Sequence, residues 1–600
     1  MADEKRNWRD FQKIKFSKKH LTRRAKKAEG ATVRHARKFI VGRLESIRES
    51  RRHIIGWLLL VTVLVAVVGV QLVWFQQSYQ TVAASDGGTY AEATLGPIET
   101  LNPLYASSSA EISSSHLLFS SLYDYDQKGV LHADLADRVD IDSAGTTYTV
   151  KLKSGVKWHD GAALTANDVA FTINLIKQPE TRSSLRANWQ DVTVQAIDDT
   201  TLVFKLPAVH AAFKDALTFS VLPEHVLGKI APGAIRENAF SRSPIGSGPF
   251  KLRLLQTADT GNKHKIIHMV AFEDYFKGQP KLARFELHAF DTPALILDAL
   301  KTGEVNAASD ISTGDINSVS KVNYTIKSQT IDSGVYAILN TTQPLLKDKT
   351  VRQALQLATN TGEIRNGLNT PVPSLELPFI NGQLTGNDLP KVPAADTKRA
   401  GDILDAAGWK LVGSVREKGG QKLSLQVVTT KDAEYENVLQ MLATQWRAIG
   451  VEVITKVVDS SDPAQNFVQD VLQPRQYDVL IYQLAIGADP DVYSYAYWHS
   501  SQVGQRGYNF SNYSSITSDD ALVSASLRLE PELRNAKYKA FAKQWVEDVP
   551  AIALYQSTVQ YVQGQGVSSV GDNAVLVSPY DRYSNVLYWS VNQQTVYKTP

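Results

Sequence analysis

The chain has 600 residues, 43% of them apolar, a formal net charge of +3 and no cysteine. The absent thiol excludes disulfides, a lipid-modified cysteine anchor, thiolate metal sites and a cysteine nucleophile. The small net charge conceals a split: residues 1–53 hold 18 Lys+Arg against 6 Asp+Glu, net +12, and the rest holds 46 against 55, net −9.

The basic tail, residues 1–53, comes first. Segments such as KKHLTRRAKKAEG (18–30) have the composition of a basic helix. Phosphate contacts need only Lys and Arg in numbers, but base stacking needs aromatics, and the tail has few (Trp8, Phe11, Phe16, Phe39). No specific nucleic acid is therefore expected. The expected partner is anionic inner-leaflet lipid, at roughly 1 kcal/mol per basic residue near the surface. A specific partner for the tail is the competing reading.

Residues 54–75, IIGWLLLVTVLVAVVGVQLVWF, follow as an uncharged apolar run. At about 1.5 Å per helical residue they reach roughly 33 Å, enough for a bilayer core of about 30 Å. Positive charge stays cytoplasmic, so a single-pass signal-anchor helix is expected, with the N-terminus inside and residues 76–600 outside. Trp57 and Trp74 lie near its ends, where amphipathic rings favour the interface. The run is long for a cleaved signal core, yet Val82-Ala83-Ala84 before Ser85 is a small-residue cleavage site, and a removed leader remains the alternative.

Beyond a linker, 76–90, which contains SDGGTY (85–90), the composition is globular and too long for one core, so at least two lobes are expected. YTVKLK (148–153) has the two-residue period of a strand, followed by the turn SGVKWHDG (154–161). In the turn, Trp158 is expected as a core anchor and Asp160-Gly161 as the bend. His159 has no second ligand at a metal spacing and is taken as structural. Thr165 is the expected N-cap of a helix through DVAFTINLI (168–176), with Asp168 three residues on. GSG at 246–248 lacks a phosphate-loop pattern and runs into Pro249-Phe250, so it reads as a tight turn. Gly408-Trp409 reads as a left-handed helix cap with a packing aromatic. LSLQVVTT (423–430), a helix through YENVLQMLATQWRAIG (435–450) and VEVITKVV (451–458) make a β-α-β unit, from which a largely parallel sheet is expected.

YTVKLKSGVKWHDGAALTANDVAFT (148–172) resembles the signature region of family 5 extracellular solute-binding proteins, the peptide- and dipeptide-binding components of ABC importers. Further stretches resemble that family in its own order: LNPLYASSSAEISSSHLLFSSLYDYDQKG (101–129), SPIGSGPFKL (243–252), ILNTTQPLLKDKTVRQALQLATN (338–360), RAGDILDAAGWKL (399–411), YDVLIYQLAIGADPD (477–491) and RNAKYKAFAKQWVEDVPAIALY (534–555).

The resemblance implies an α/β clam of two lobes. Lobe I would span 91–333, with an extra subdomain at about 126–242, and would take the chain back at 563–600; lobe II would span 334–562. Crossings are expected near Ala337–Asn340 and near Tyr561. The motif positions that the family implies for ligand contact are Asn340, Tyr482, Gln483, Ile486, Asp489, Asp491, Tyr493 and Trp498. In peptide-binding relatives an aspartate three residues before the acidic-Pro pair meets the peptide's amino group. Here the pair is Asp489-Pro490 and that position is Ile486, so capture of a free N-terminus there is in doubt. Gln483 stands where relatives often carry an aromatic. Asp489 and Asp491 read equally as turn-capping carboxylates, and Tyr493, Tyr495, Tyr497 and Trp498 as cleft-mouth rings or as core packing.

The function so implied is capture of a peptide or other small polar solute by lobe closure and delivery to ABC permease and ATPase subunits, with no cofactor and no metal. An anchored receptor for a non-peptide solute, without transport, is the alternative. A surface peptidase is disfavoured, because no HExxH, GxSxG or P-loop motif is present.

Overall fold

The computed structural model describes residues 51–597 apart from 259–260, 262–263, 460–461, 463 and 573. The basic tail that carries the expected lipid contacts lies almost entirely outside the described residues. The chain separates into two compact units, one containing helix α1 (Arg51–Tyr79) and one spanning Ala84–Gln593. Within α1, His53–Trp74 is, among the described residues, the one stretch long and apolar enough to cross a membrane, and its apolar side chains are exposed.

In the large unit, β1 (Thr89–Leu95) and α2 (Ser109–Leu118) precede a separate antiparallel sheet of β2 (Ala136–Ile141), β3 (Thr147–Leu152), β4 (Thr193–Ala196) and β5 (Thr201–Lys205), in the order β2-β3-β5-β4. Its helix α3 (Ala166–Lys177) starts as the sequence indicates: the Thr165 amide donates to Asp168 Oδ2 at 2.8 Å, closing a capping box. Trp158 is fully buried against this layer. His159 accepts from the Gly246 amide and pairs with the Gly248 carbonyl at 3.0 Å, and burial lowers its pKa to about 4. Gly246 and Gly248 are needed for close approach, since a Cβ on either would strike the Leu117–Phe119 backbone.

Among the described residues the main sheet has eleven strands. It is built from β6 (Phe250–Thr257), β7 (His264–Ala271), β8 (Arg284–Phe290), then α4 (Pro293–Thr302), β9 (Ala307–Ala308) and the long β10 (Tyr324–Leu339). The second half adds α5 (Lys349–Ala358), α6 (Thr397–Ala406), β11 (Ser424–Thr430), α7 (Ala433–Ala448), β12 (Glu452–Val458), β13 (Val479–Ala485), α8 (Pro531–Asp548), the long β14 (Ala551–Gly564) and β15 (Val575–Leu576). Strand order is β12-β11-β13-β10-β14-β9-β1-β8-β7-β6, with β15 beside β10. The expected parallel pairs are present where helices connect strands, as in β11 with β12. The sheet as a whole is mixed, because the chain goes out along β10 and returns along β14, and two adjacent strands of opposite direction pair antiparallel.

Strand β10 also shows how the cores are divided. Tyr324 packs with α4 and Ile331 with the large first-half core around Trp158 and Tyr148. From Val335 onward, alternate residues point to two second-half cores. Val335, Ala337 and Leu339 join Trp446; Tyr336 and Ile338 join Trp545 and Trp498. The change of core coincides with a break in register: Thr330 faces Thr558 and Gly334 faces Gln556, so three residues oppose one. The passage between cores therefore lies at 331–333 and near Ser557. Tyr561 packs in the first-half core.

Candidate ligand-binding cleft

A cavity of about 170 Å3 lies where the two sets of cores face each other across β10 and β14. The first half supplies the loop Ser309–Thr313, and Pro579 and Arg582 from the C-terminal segment. The second half supplies Asp432, Glu434 and Tyr435 from the start of α7, and Gln483 from β13. Gln329, Thr558, Gln560 and Tyr561 from the crossing strands form the remaining wall.

Each wall is fixed by local hydrogen bonding. Asp432 caps α7, accepting from the Glu434 amide at 2.8 Å and the Tyr435 amide at 3.2 Å, which aims both following side chains at the cavity. Glu434 accepts from Tyr555 OH at 2.8 Å and, from the opposite half, from Thr313 Oγ1 at 3.0 Å. Burial raises its pKa. Tyr435 OH donates to Gln483 Oε1 at 3.1 Å. Asp310, with a left-handed φ of 59°, accepts from Thr94 and Ser309 hydroxyls and the Leu95 amide. Gln560 donates to Ser328 Oγ at 3.0 Å. Arg582 pairs with Glu92 at 2.7 Å, and Tyr583 and Tyr561 also donate to that carboxylate, at 2.5 and 2.6 Å. The ion pair is wholly buried and saturated, so it makes a rigid polar floor.

Gln329 differs from its neighbours. It is 1% exposed, lines the cavity, and neither end of its amide has a hydrogen-bond partner. Buried amides are nearly always paired, and this one has no protein partner.

A group of carboxyls surrounds the crossover. Burial pushes Asp124, Asp332 and Asp581 up to about 7; Asp134 adds to the rise at Asp124, and Asp124 and Asp332 add to it at Asp581. Asp489 is bidentate to Arg534, with one bond at 2.7 Å, and its Oδ1 accepts the Asp491 amide. Asp491 accepts from Tyr538 OH at 2.5 Å and faces His210 of the first half at 3.7 Å.

Of the residues expected at the ligand, Gln483 lies on the cavity. Asn340 is buried, donating to the Arg475 and Tyr477 carbonyls. Tyr482 packs between Phe467 and Phe510. Ile486 is buried, and its amide donates to the Asp332 carbonyl at 2.8 Å. Trp498 is buried edge-on against Trp545. Tyr493 stacks on Tyr497 and is partly exposed. Sequence reasoning missed Gln329, Gln560, Glu434 and Arg582. The readable signal was in QSTVQ (556–560), where polar residues interrupt an otherwise apolar buried strand.

Residues 130–505, more than half the chain, match the model of the bacterial extracellular solute-binding proteins, family 5 middle region. The chain belongs to this family. Among its relatives, the oligopeptide-binding protein AppA of Bacillus subtilis is 28% identical over 482 residues, covering 78% of this chain and 86% of that protein. A putative ABC transporter peptide-binding protein of Brucella ovis is 28% identical over 443 residues, covering 72% and 80%. Among solved structures, B. subtilis AppA in complex with a nonapeptide superimposes with a TM-score of 0.68 at 26% identity, covering 84% of this chain and 99% of AppA. NikZ of Campylobacter jejuni in complex with Ni(L-His) gives 0.70 at 26% identity over 84% and 99%. This binding protein is thus a two-lobed α/β molecule of the periplasmic-binding-protein kind.

Proposed function

We propose that this family 5 binding protein captures peptides between its lobes and hands them to the permease of an ABC importer, with α1 holding it in the membrane and its N-terminus cytoplasmic. The observation that carries the reading is the cavity walled by both halves, with the unpaired Gln329 amide in its side, in a chain whose relatives include an oligopeptide-binding protein. A peptide backbone offers amide donors and acceptors to such a wall with little demand on side-chain identity. The moving bodies are lobe I, 91–333 with the chain from about 558 onward, and lobe II, 334–557, and the rotation is absorbed at the register break of β10 and β14. Among the residues expected from motif position, Gln483 and Tyr493 keep a contact role, and Asn340, Tyr482, Ile486, Asp489, Asp491 and Trp498 act by shaping the lobe behind them. No bond in the ligand is broken. Anchoring raises the receptor's effective concentration at its permease, and the basic tail rests on anionic lipid.

The test is to purify the full chain in detergent without added ligand, denature it, and identify the released small molecules by mass spectrometry. A ladder of short peptides, chemically unchanged after long incubation, is the expected result. A single non-peptide species, such as a nickel–amino acid chelate, would overturn the peptide assignment.

A further inference from the structure

A second cluster of chemistry-bearing side chains lies outside the cleft, on one face of the β7–β8 pair. In that antiparallel register Ile266 faces His288 and His268 faces Glu286, which puts His264, His268, Glu286 and His288 on a single face. Glu304 joins them from the turn after α4, where Gly303 adopts a left-handed φ of 73°. His264 Nε2 and His288 Nδ1 are 3.1 Å apart, and Glu304 Oε1 is 3.6 Å from His288 Nδ1 and 3.7 Å from His264 Nδ1. Ligand atoms bound at about 2.1 Å to a tetrahedral ion stand about 3.4 Å from one another; here one ligand atom from each of the three residues lies within 4.8 Å of the others, so small side-chain rotations bring them to that spacing.

The surroundings of His288 give an independent indication. The side chain is 4% exposed, and its Nε2 has no hydrogen-bond partner; the carboxylate of Glu286 waits 3.7 Å away. Glu286 is itself bonded to His268 Nδ1 at 3.1 Å, and His268 Nε2 meets Gln256 at 2.9 Å. A ligating imidazole commonly turns its second N–H towards such a carboxylate, which fixes the tautomer. The His264 ring stacks on Phe290 at 4.2 Å, so its orientation is set before any ion arrives. Glu304 is 43% exposed, so the cluster is reached from solvent.

We infer that His264, His288 and Glu304 form a binding site for a divalent late first-row cation, with Zn2+ the best match to two imidazoles and a carboxylate. Glu286 is a positioning residue. The ion ties the β7–β8 pair to the turn after α4 and takes no part in ligand capture.

The full chain in detergent, stripped with chelator, is titrated with Zn2+ by calorimetry and with Co2+ by visible absorption. One equivalent is expected, with tetrahedral Co2+ bands. His288→Ala and Glu304→Gln should each weaken Zn2+ binding by more than about tenfold, and Glu286→Gln by about tenfold with one equivalent retained. Glu304 is on the surface, so its variant should keep the parent's circular dichroism and peptide binding. Absence of a stoichiometric Zn2+ overturns the inference. So does an equivalent that survives both His264→Ala and Glu304→Gln unchanged, as it would if the ion sat on His116, Asp124 and Asp581.

Discussion

Gln329 makes opposite demands on folding and on binding. A buried amide without partners costs about 1–3 kcal/mol in desolvation, which a ligand's polar group would offset. Gln329→Leu should therefore raise the ligand-free melting temperature while weakening ligand affinity by about tenfold or more, measured by thermal unfolding and by calorimetry on one sample. A fall in both would mean that the amide is structural. Thr313 makes a different case, because its hydroxyl meets Glu434 across the cavity and little else depends on it. Thr313→Val removes one hydrogen bond to a carboxylate, worth about 1.5–3 kcal/mol. Ligand affinity should fall by about 10- to 100-fold with an unchanged melting temperature, since Glu434 keeps Tyr555 in either state. An equal loss of stability would place the bond within a lobe's own fold.

Local signals in the sequence located single elements well. Thr165 and Asp168 mark the start of α3, and the strand–helix–strand run over 423–458 gives β11, α7 and β12 within about two residues at each end. The sequence reading began α7 at Tyr435 and passed over Asp432, the residue that caps it and orients the cavity-facing Glu434. Asp432→Ala should cost about 1 kcal/mol of stability and also weaken ligand binding, detected as a lower unfolding midpoint and a higher Kd. What was not legible depends on distance along the chain. Thr313 meets Glu434 over 121 residues, and Arg582 meets Glu92 over 490. No periodicity reports such pairings. Motif position, for its part, named Asn340, which bonds the Arg475 and Tyr477 carbonyls, and Trp498, which packs on Trp545 and lines a smaller cavity with Ile486 and Tyr493.

At the scale of the whole molecule, burial lifts three carboxyls near the crossover, Asp124, Asp332 and Asp581, to about 7. A carboxyl with a raised folded pKa binds a proton in the native state that the unfolded chain has released, so its contribution is present below about pH 4 and lost as pH rises through about 7. The half-buried His116 and His159 and the buried His288, lowered to about 4, act in the other sense, weakening the fold as pH falls below about 6.5. The two sets oppose each other between about 4 and 6.5, and above that only the carboxyls still titrate. Stability should therefore decline from about pH 6.5 to 8, by up to about 1.4 kcal/mol per proton per pH unit, seen as a falling melting temperature in a buffer series. If a cationic group of the ligand settles beside these carboxyls, binding must expel their protons. Affinity would then rise with pH over the same interval in which ligand-free stability falls, and calorimetry in buffers of different ionisation enthalpy would count the protons released. An affinity flat across that interval would mean that the ligand's charge lies elsewhere, against the capped Asp432 wall rather than at the crossover.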